Sequence, residues 1–248
     1  MNILLTNDDG IYAEGIRTLA RHLSKIPDYK ITAIAPDRER SASGHSITLN
    51  RPLRIKKLSE NTDAKFYNLD GTPADCVKIG IERLCKPDLV ISGINHGPNI
   101  GYDVFYSGTV AAAVEGWMMG YSSFAISLNL KEKNNFQTAA NITEQLIKKI
   151  QRLIQKEKVL LNINVPDLKF KKIKGIAATK LGKNIYEDYY EERTDPSGKK
   201  YYWLAGDFNK KTTNKTDINA LNNSKISVTP LKLDLTNNKQ LKILNDLL

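Results

Sequence analysis

Short runs of contiguous apolar residues alternate with helix-period segments over the first 166 residues. That alternation constrains the fold more than any other feature. Strand–helix–strand units of this kind build a parallel sheet with helices on its faces. The first run, Asn2 to Thr6, holds Ile3, Leu4 and Leu5 and is broken by Asn7-Asp8-Asp9-Gly10. Ala13 to Ile26 reads as a helix, because Ile16, Leu19, Ala20 and Leu23 recur at helical spacing. Lys30 to Ala35 is a second strand, ended by Pro36. The loop "PDRERSASGHS" has no periodicity, and three β-like runs follow at 47–49, 53–58 and 65–69. "GTPADCVKIGIERL" starts a helix, with Thr72 at the N-cap, Pro73 at N1 and Asp75 at N3. Asp88 to Ser92, "SSFAISL" and "KVLLNINVP" are further strands, separated by "SGTVAAAVEGWMMG" and the long amphipathic stretch Phe136 to Lys156. The expected fold class is α/β, a Rossmann-like, doubly wound, mostly parallel sheet over residues 1–166.

Beyond Pro166 the pattern loosens into an expected C-terminal extension, 167–248. Within it, "NIYEDYYEERTDPSGKKYYWLAG" predicts a long β-hairpin at about 184–206, turning at Asp195-Pro196-Ser197-Gly198. Tyr186, Tyr189, Tyr190, Tyr201, Tyr202 and Trp203 crowd into it. A lone two-stranded hairpin is marginal in water, so this one needs a body to lie on. Exchange between subunits, giving a homodimer or a tetramer, suits that many aromatics. Stacking on nucleobases beside Lys199 and Lys200, and folding back on its own domain, are the other readings. Asn237 to Leu248 closes the chain as a short amphipathic helix.

With 41% hydrophobic and 26% charged residues the 248-residue chain is globular rather than disordered. Its net charge of +10 is uneven: residues 1–128 hold 14 basic and 14 acidic side chains, residues 129–248 hold 23 and 13. A basic half raises a polyanion as a partner. Outside the hairpin, however, the lysines are scattered and not interleaved with aromatics, so they read as a solvated surface, and nucleic acid is not the expected partner. No apolar run approaches the ~18–20 residues that span a bilayer. No basic-then-apolar leader opens the chain, so the expectation is a cytoplasmic protein without membrane contact. Cys76 and Cys85, nine residues apart on one predicted helix, are about 13–14 Å apart and read as reduced thiols.

In an open parallel sheet, ligands gather at the carboxyl ends of the strands. The first strand delivers Asp8, Asp9 and Gly10 there. The second delivers Asp37, Arg38, Arg40, Ser41, Ser43, Gly44, His45 and Ser46, and the strand at 88–92 delivers Asn95, His96, Gly97 and Asn99. Carboxylate, hydroxyl and amide oxygens together suit a hard divalent cation, Mg²⁺ or Mn²⁺. Taken alone, Asp-Asp-Gly is an ordinary solvated turn. Ser107-Gly108-Thr109 opens a helix of small residues, where backbone N–H groups favour anions; taken alone, it is helix capping by Thr109. A metal beside an anion cradle describes phosphoryl chemistry. His45 is either a general acid or a loop histidine bonding backbone. His96 reads as a rim residue and His22 as structural.

The segments "ILLTNDDGIYAEGI", "APDRERSASGHSIT", "GTPADCVKIG", "DLVISGINHGPNIGYDVFYSGTVAAAVEG" and "LNINVP" resemble the SurE family of acid phosphatases, also called survival protein E or 5′/3′-nucleotidases; "YYWLAGD" and "ISVTPL" extend the likeness. The resemblance implies a metal-dependent phosphomonoesterase acting on nucleoside 5′- and 3′-monophosphates, with short polyphosphate as a further candidate substrate. It implies one divalent metal per subunit, held by Asp8, Asp9, Ser41 and Asn95, with Asp8, Asp9 and Asn95 in the catalytic set. It also implies phosphate bound by Ser107, Gly108 and Thr109 with Asn95, in a mouth lined by Gly44, His45 and Ser46. A nucleic-acid-binding or nucleotide-sensing protein using the basic half is the alternative.

Overall fold

The computed structural model describes residues 1–130, 133–183, 185–209 and 213–248; the side chains at 185–188 and 207–209 lie outside it, Tyr186 among them. Five apolar runs form parallel inner strands: β1 (Asn2–Thr6), β2 (Lys30–Pro36), β5 (Leu89–His96), β6 (Ser122–Asn129) and β7 (Leu160–Pro166). β3 (Ile55–Leu58) and β4 (Lys65–Leu69) extend one side, and β8 (Ile176–Ala178) and β11 (Ile226–Pro230) the other. The nine strands run in the order β3-β4-β2-β1-β5-β6-β7-β11-β8. β3 is antiparallel to β4, and β11 is antiparallel to β7 and parallel to β8. Counting only the parallel strands β4, β2, β1, β5, β6 and β7, this is the doubly wound order, and its direction reverses between β1 and β5. The near-continuous burial of these strands reflects helices on both sheet faces.

One face carries α1 (Glu14–Leu23) and α4 (Phe136–Lys156), whose Ile16, Leu19, Leu23, Phe136, Ala139 and Leu146 pack into the main core. The other carries α2 (Pro73–Ile79), which continues as a π-helical turn over Gly80–Leu84, and α3 (Gly108–Met118). α2 starts as expected, with Thr72 and Asp75 forming a reciprocal capping box and Pro73 at its first position. Four expectations change. The first helix stops at Leu23 rather than Ile26. The β-like run at 47–49 forms no strand, because the Thr48 N–H and hydroxyl bond the Asp75 carboxylate at 3.1 and 2.6 Å instead of a ladder. α3 is capped by the Ser107 hydroxyl, which accepts from Val110 N–H at 3.1 Å, and not by Thr109. The strand expected over 88–92 runs on to His96, through a cis Gly93–Ile94 peptide and a register shift between Ser92 and Asn95.

The hairpin stands as expected. β9 (Ile185–Thr194) pairs with β10 (Lys200–Asn209) and, among the described residues, with no strand of the main sheet. Side chains alternate across a strand, so Tyr190, Tyr202 and Leu204 share one face and Tyr189, Tyr201 and Trp203 the other. Both faces are exposed, with Tyr190 at 69% and Trp203 at 60%. The chain then forms α5 (Asp217–Asn222), β11 and α6 (Asn238–Leu247). α6 buries none of its residues and exposes Leu241, Ile243, Leu244 and Leu247. No described helix is long and apolar enough to cross a membrane.

Candidate active site

The crevice between β1 and β5, where the strand order reverses, is where an open sheet of this kind takes its ligand. The turn after β1 is built for tightness. The Asn7 side chain accepts from Gly10 N–H at 3.2 Å and donates to the Gly10 carbonyl at 2.9 Å. Gly10 sits at φ +96°, a conformation that costs glycine little and other residues more. Asp8 and Asp9 are thereby held side by side but in different surroundings. Asp8 is buried, and its Oδ1 accepts a hydrogen bond from the Thr109 hydroxyl. Burial pushes the Asp8 carboxyl up to about 6; the neighbouring Asp9 charge adds to the shift and the Thr109 bond opposes it. Asp9 reaches across the crevice to β5, where its Oδ2 accepts from the His96 backbone N–H at 3.2 Å and pairs with His96 Nδ1 at 3.1 Å. That hydrogen bond holds the His96 imidazole above its ordinary pKa, against partial burial. The ring also stands edge-on to Phe136, centroids 4.8 Å apart. His96, an exposed residue at the crevice, is thus also the partner of Asp9. Nothing in "INHGPN" signals that pairing, which only the folded crevice creates.

α3 begins directly against this pair. A Cβ at Gly108 would stand 2.8 Å from the Asp8 Cβ, so only glycine lets the helix start so close. Ser107 caps the helix through its own hydroxyl, and the Thr109 hydroxyl proton is spent on Asp8. What the start of α3 offers an anion is thus its backbone N–H groups. The loop after β2 lies against the same place. Arg40 N–H donates to the Asp8 carbonyl at 2.7 Å, and Gly44 N–H to the Tyr106 carbonyl at 3.1 Å. The Ser43 hydroxyl is buried without a partner, 3.0 Å from where a Gly108 Cβ would be. Sequence reasoning placed Ser43 in the loop but not in the site; its signal is position alone.

The remaining expected residues are arranged less directly. Ser41 is exposed, and its hydroxyl donates to Glu39 at 2.6 Å rather than to the aspartates. The Asn95 amide nitrogen donates to the Gly97 carbonyl at 2.9 Å. Ser46 is exposed, and its carbonyl accepts from the Thr72 hydroxyl at 2.7 Å. The His45 Nε2 bonds not to backbone but to the Glu115 carboxylate at 2.8 Å. Asn99 is structural: the Asn162 and Asn164 side chains donate to its carbonyl at 2.8 and 2.9 Å, and its own amide donates to the Ser127 hydroxyl at 2.8 Å.

A buried carboxyl with no basic side chain paired to it among the described residues, a second carboxylate beside it and an unspent hydroxyl nearby together fit a hard divalent cation. Among the described residues no group of three or more His, Cys, Asp or Glu side chains could hold a metal, so a cation here takes two carboxylates and neutral oxygens.

Fold and site together define an open-sheet α/β protein with two carboxylates and a helix start in contact at the reversal point of its sheet, the place where such sheets take small ligands. Its sequence matches the family model described as "Survival protein SurE" over residues 3–188, and the chain belongs to the SurE family. The 5′-nucleotidase SurE of Carboxydothermus hydrogenoformans is 47% identical over 243 residues, covering 96% of this chain and 92% of that protein. That of Thermosipho africanus is 46% identical, covering 99% and 97%. The crystal structure of the SurE protein from Aquifex aeolicus superposes with a TM-score of 0.85 at 40% identity, covering 100% of this chain and 99% of that one.

Proposed function

We propose that this SurE-family hydrolase is a metal-dependent phosphomonoesterase that converts nucleoside 5′-monophosphates, and 3′-monophosphates, to nucleoside and phosphate, working in the cytoplasm as a homo-oligomer. One observation carries the reading: the start of α3, which favours an anion, is packed against the Asp8 carboxyl. A phosphate and a carboxylate at that separation repel unless a cation lies between them. Asp8, Asp9 and the Asn95 amide oxygen would hold that cation, with Ser41 joining them by turning from Glu39. A divalent cation held there would supply Lewis-acid polarisation of a phosphoryl oxygen and a lowered pKa for water. The chain's own part is to hold and orient. Thr109 fixes the Asp8 carboxyl through both its hydroxyl and its backbone N–H, His96 fixes Asp9, and the Gly108 N–H at the start of α3 would align the phosphate for in-line attack by water. The new P–O bond would form from water as the ester P–O bond to the nucleoside breaks, and the proton given up by the water balances the one taken up by the departing nucleoside oxygen. Direct water attack fits Asp-Asp-Gly better than a phosphoaspartyl route. The names of the bacterial relatives, 5′-nucleotidase SurE, support the same activity.

A panel of nucleoside monophosphates, assayed with excess EDTA and then with Mn²⁺ or Mg²⁺, tests the reading. Hydrolysis restored by metal is expected. Full turnover in EDTA removes the cation, and no turnover of any phosphomonoester removes the activity. A cavity of about 290 Å³ lined by Lys174, Lys215 and Lys225 favours a second reading, in which the basic half also takes a polyanion. Oligonucleotide binding that falls steeply across a salt series would support it.

A further inference from the structure

Glu115 is the one charged residue in α3, and it is 5% exposed. A buried carboxylate is costly unless donors satisfy it. Here both oxygens are used, by two different elements. Lys78 of α2 donates to Oε1 at 3.0 Å, and His45 of the loop after β2 bonds Oε2 at 2.8 Å. Lys78 joins helices that already pack together, so it adds little to what fixes α3. The His45 bond is different, because it is what reaches the loop.

Glu115 follows Gly108 by seven residues, two helical turns, and so lies on the face of α3 that begins against Asp8. The loop is thus fastened along α3 at two points. Gly44 N–H meets the Tyr106 carbonyl at the start of the helix, and His45 meets Glu115 two turns in. Between the helix start and this strap sits the Ser43 hydroxyl, buried, unpartnered and next to Gly108.

We propose that Glu115 is a positioning residue for phosphate capture: through His45 it holds residues 43–45 against the start of α3, so that the Ser43 hydroxyl donates to the phosphoryl group bound there. The proposal rests on the phosphomonoesterase reading of the site. Glu115 touches neither substrate nor metal, and His45 serves as its lever.

The test measures KM and kcat for a nucleoside monophosphate, and inorganic phosphate binding by calorimetry, all in Mn²⁺. The proteins are the unaltered chain, Glu115→Ala, His45→Ala, His45→Gln and the double alanine variant. Each single alanine variant is expected to weaken phosphate binding and raise KM about tenfold, with a smaller change in kcat. The double variant should be no worse than either single one, as for two residues acting through one contact. His45→Gln, whose amide can still donate to Glu115, should recover most of the phosphate affinity. Normal phosphate binding in His45→Ala overturns the proposal, and so does a glutamine variant as impaired as alanine. If Glu115→Ala does not fold, the two His45 variants still decide, since that side chain is partly exposed. An unaltered chain that hydrolyses no phosphomonoester defeats the activity reading instead, while phosphate calorimetry still reports on the strap.

Discussion

Asp8 is a carboxyl group placed where its anion is poorly solvated, and two opposite consequences follow. In the metal-free protein its folded-state pKa of about 6 lies above the ordinary carboxylate value of 3.8. The folded state therefore binds the extra proton between those values, and stability is lost as pH rises through about 6. Asp8→Asn keeps an acceptor for Thr109 and removes the charge. Metal-free Asp8→Asn is expected to be more stable than the unaltered protein at pH 7–8, by up to about 3 kcal/mol, and nearly inactive with Mn²⁺. Denaturation at pH 5 and pH 8 beside turnover checks both parts; near-normal turnover in the folded variant would remove Asp8 from the machinery. Thr109→Val withdraws the hydrogen bond that holds the Asp8 carboxyl. A hydrogen bond to a charged group is worth about 1.5–3 kcal/mol, so kcat should fall at least tenfold. KM should change less, because the backbone donors of α3 remain; unchanged kinetics would make the Thr109–Asp8 bond incidental. Here the fold adds a bond to a residue that sequence reasoning had placed at the phosphate. Thr109 stood out as a hydroxyl at a helix start, but a hydroxyl has one proton, and only the fold shows that Asp8 takes it.

Elements were legible wherever a local rule decides them. The capping box at Thr72–Asp75, the span Phe136–Lys156 and the β1–α1–β2 opening follow from side-chain type and spacing. The run at 47–49 was not legible, because Thr48 is claimed by a carboxylate 27 residues away. Glu115 was missed although it left a signal, a lone charge in the apolar run "GTVAAAVEGWMM". The loop after β5 is held in the same long-range way, by Asn162 and Asn164 of β7, both fully buried. Asn164 also accepts from Asn99 N–H at 2.9 Å. Asn164→Ala should cost about 1–3 kcal/mol by stranding the buried Asn99 backbone. It should also raise KM, since the loop that follows Asn95 and His96 at the end of β5 loosens. Urea denaturation and steady-state kinetics on one preparation check this, and a variant with unchanged urea midpoint would show that the asparagines do not brace the loop.

At the scale of the whole molecule, the hairpin presents aromatics on both faces and, among the described residues, pairs with no other strand. Replacing residues 187–202 by a short Gly/Ser turn should give a smaller assembly by light scattering, with the metal site kept; an unchanged mass rejects the hairpin as a subunit contact. The hairpin is also an excursion inside the sheet's own chain path. It leaves after β8 and returns before β11, and its base is pinned where Lys180 N–H bonds the Lys215 carbonyl and Asp217 N–H bonds the Lys180 carbonyl. β11 is the last strand to be synthesised, yet it is an inner strand, seated between β7 and β8. On the ribosome β7 must therefore wait with one edge open while some 60 more residues are made, about 3–12 s at ordinary elongation rates. For that interval β8 has no partner and β7 carries an unpaired edge, the feature through which chains join wrongly to one another. A nascent chain stalled before residue 226 should be cut readily by protease around β8, and one released after residue 230 should not. In this protein the final strand added works as the keystone of the sheet, and the time before it arrives is when the fold is most open to error.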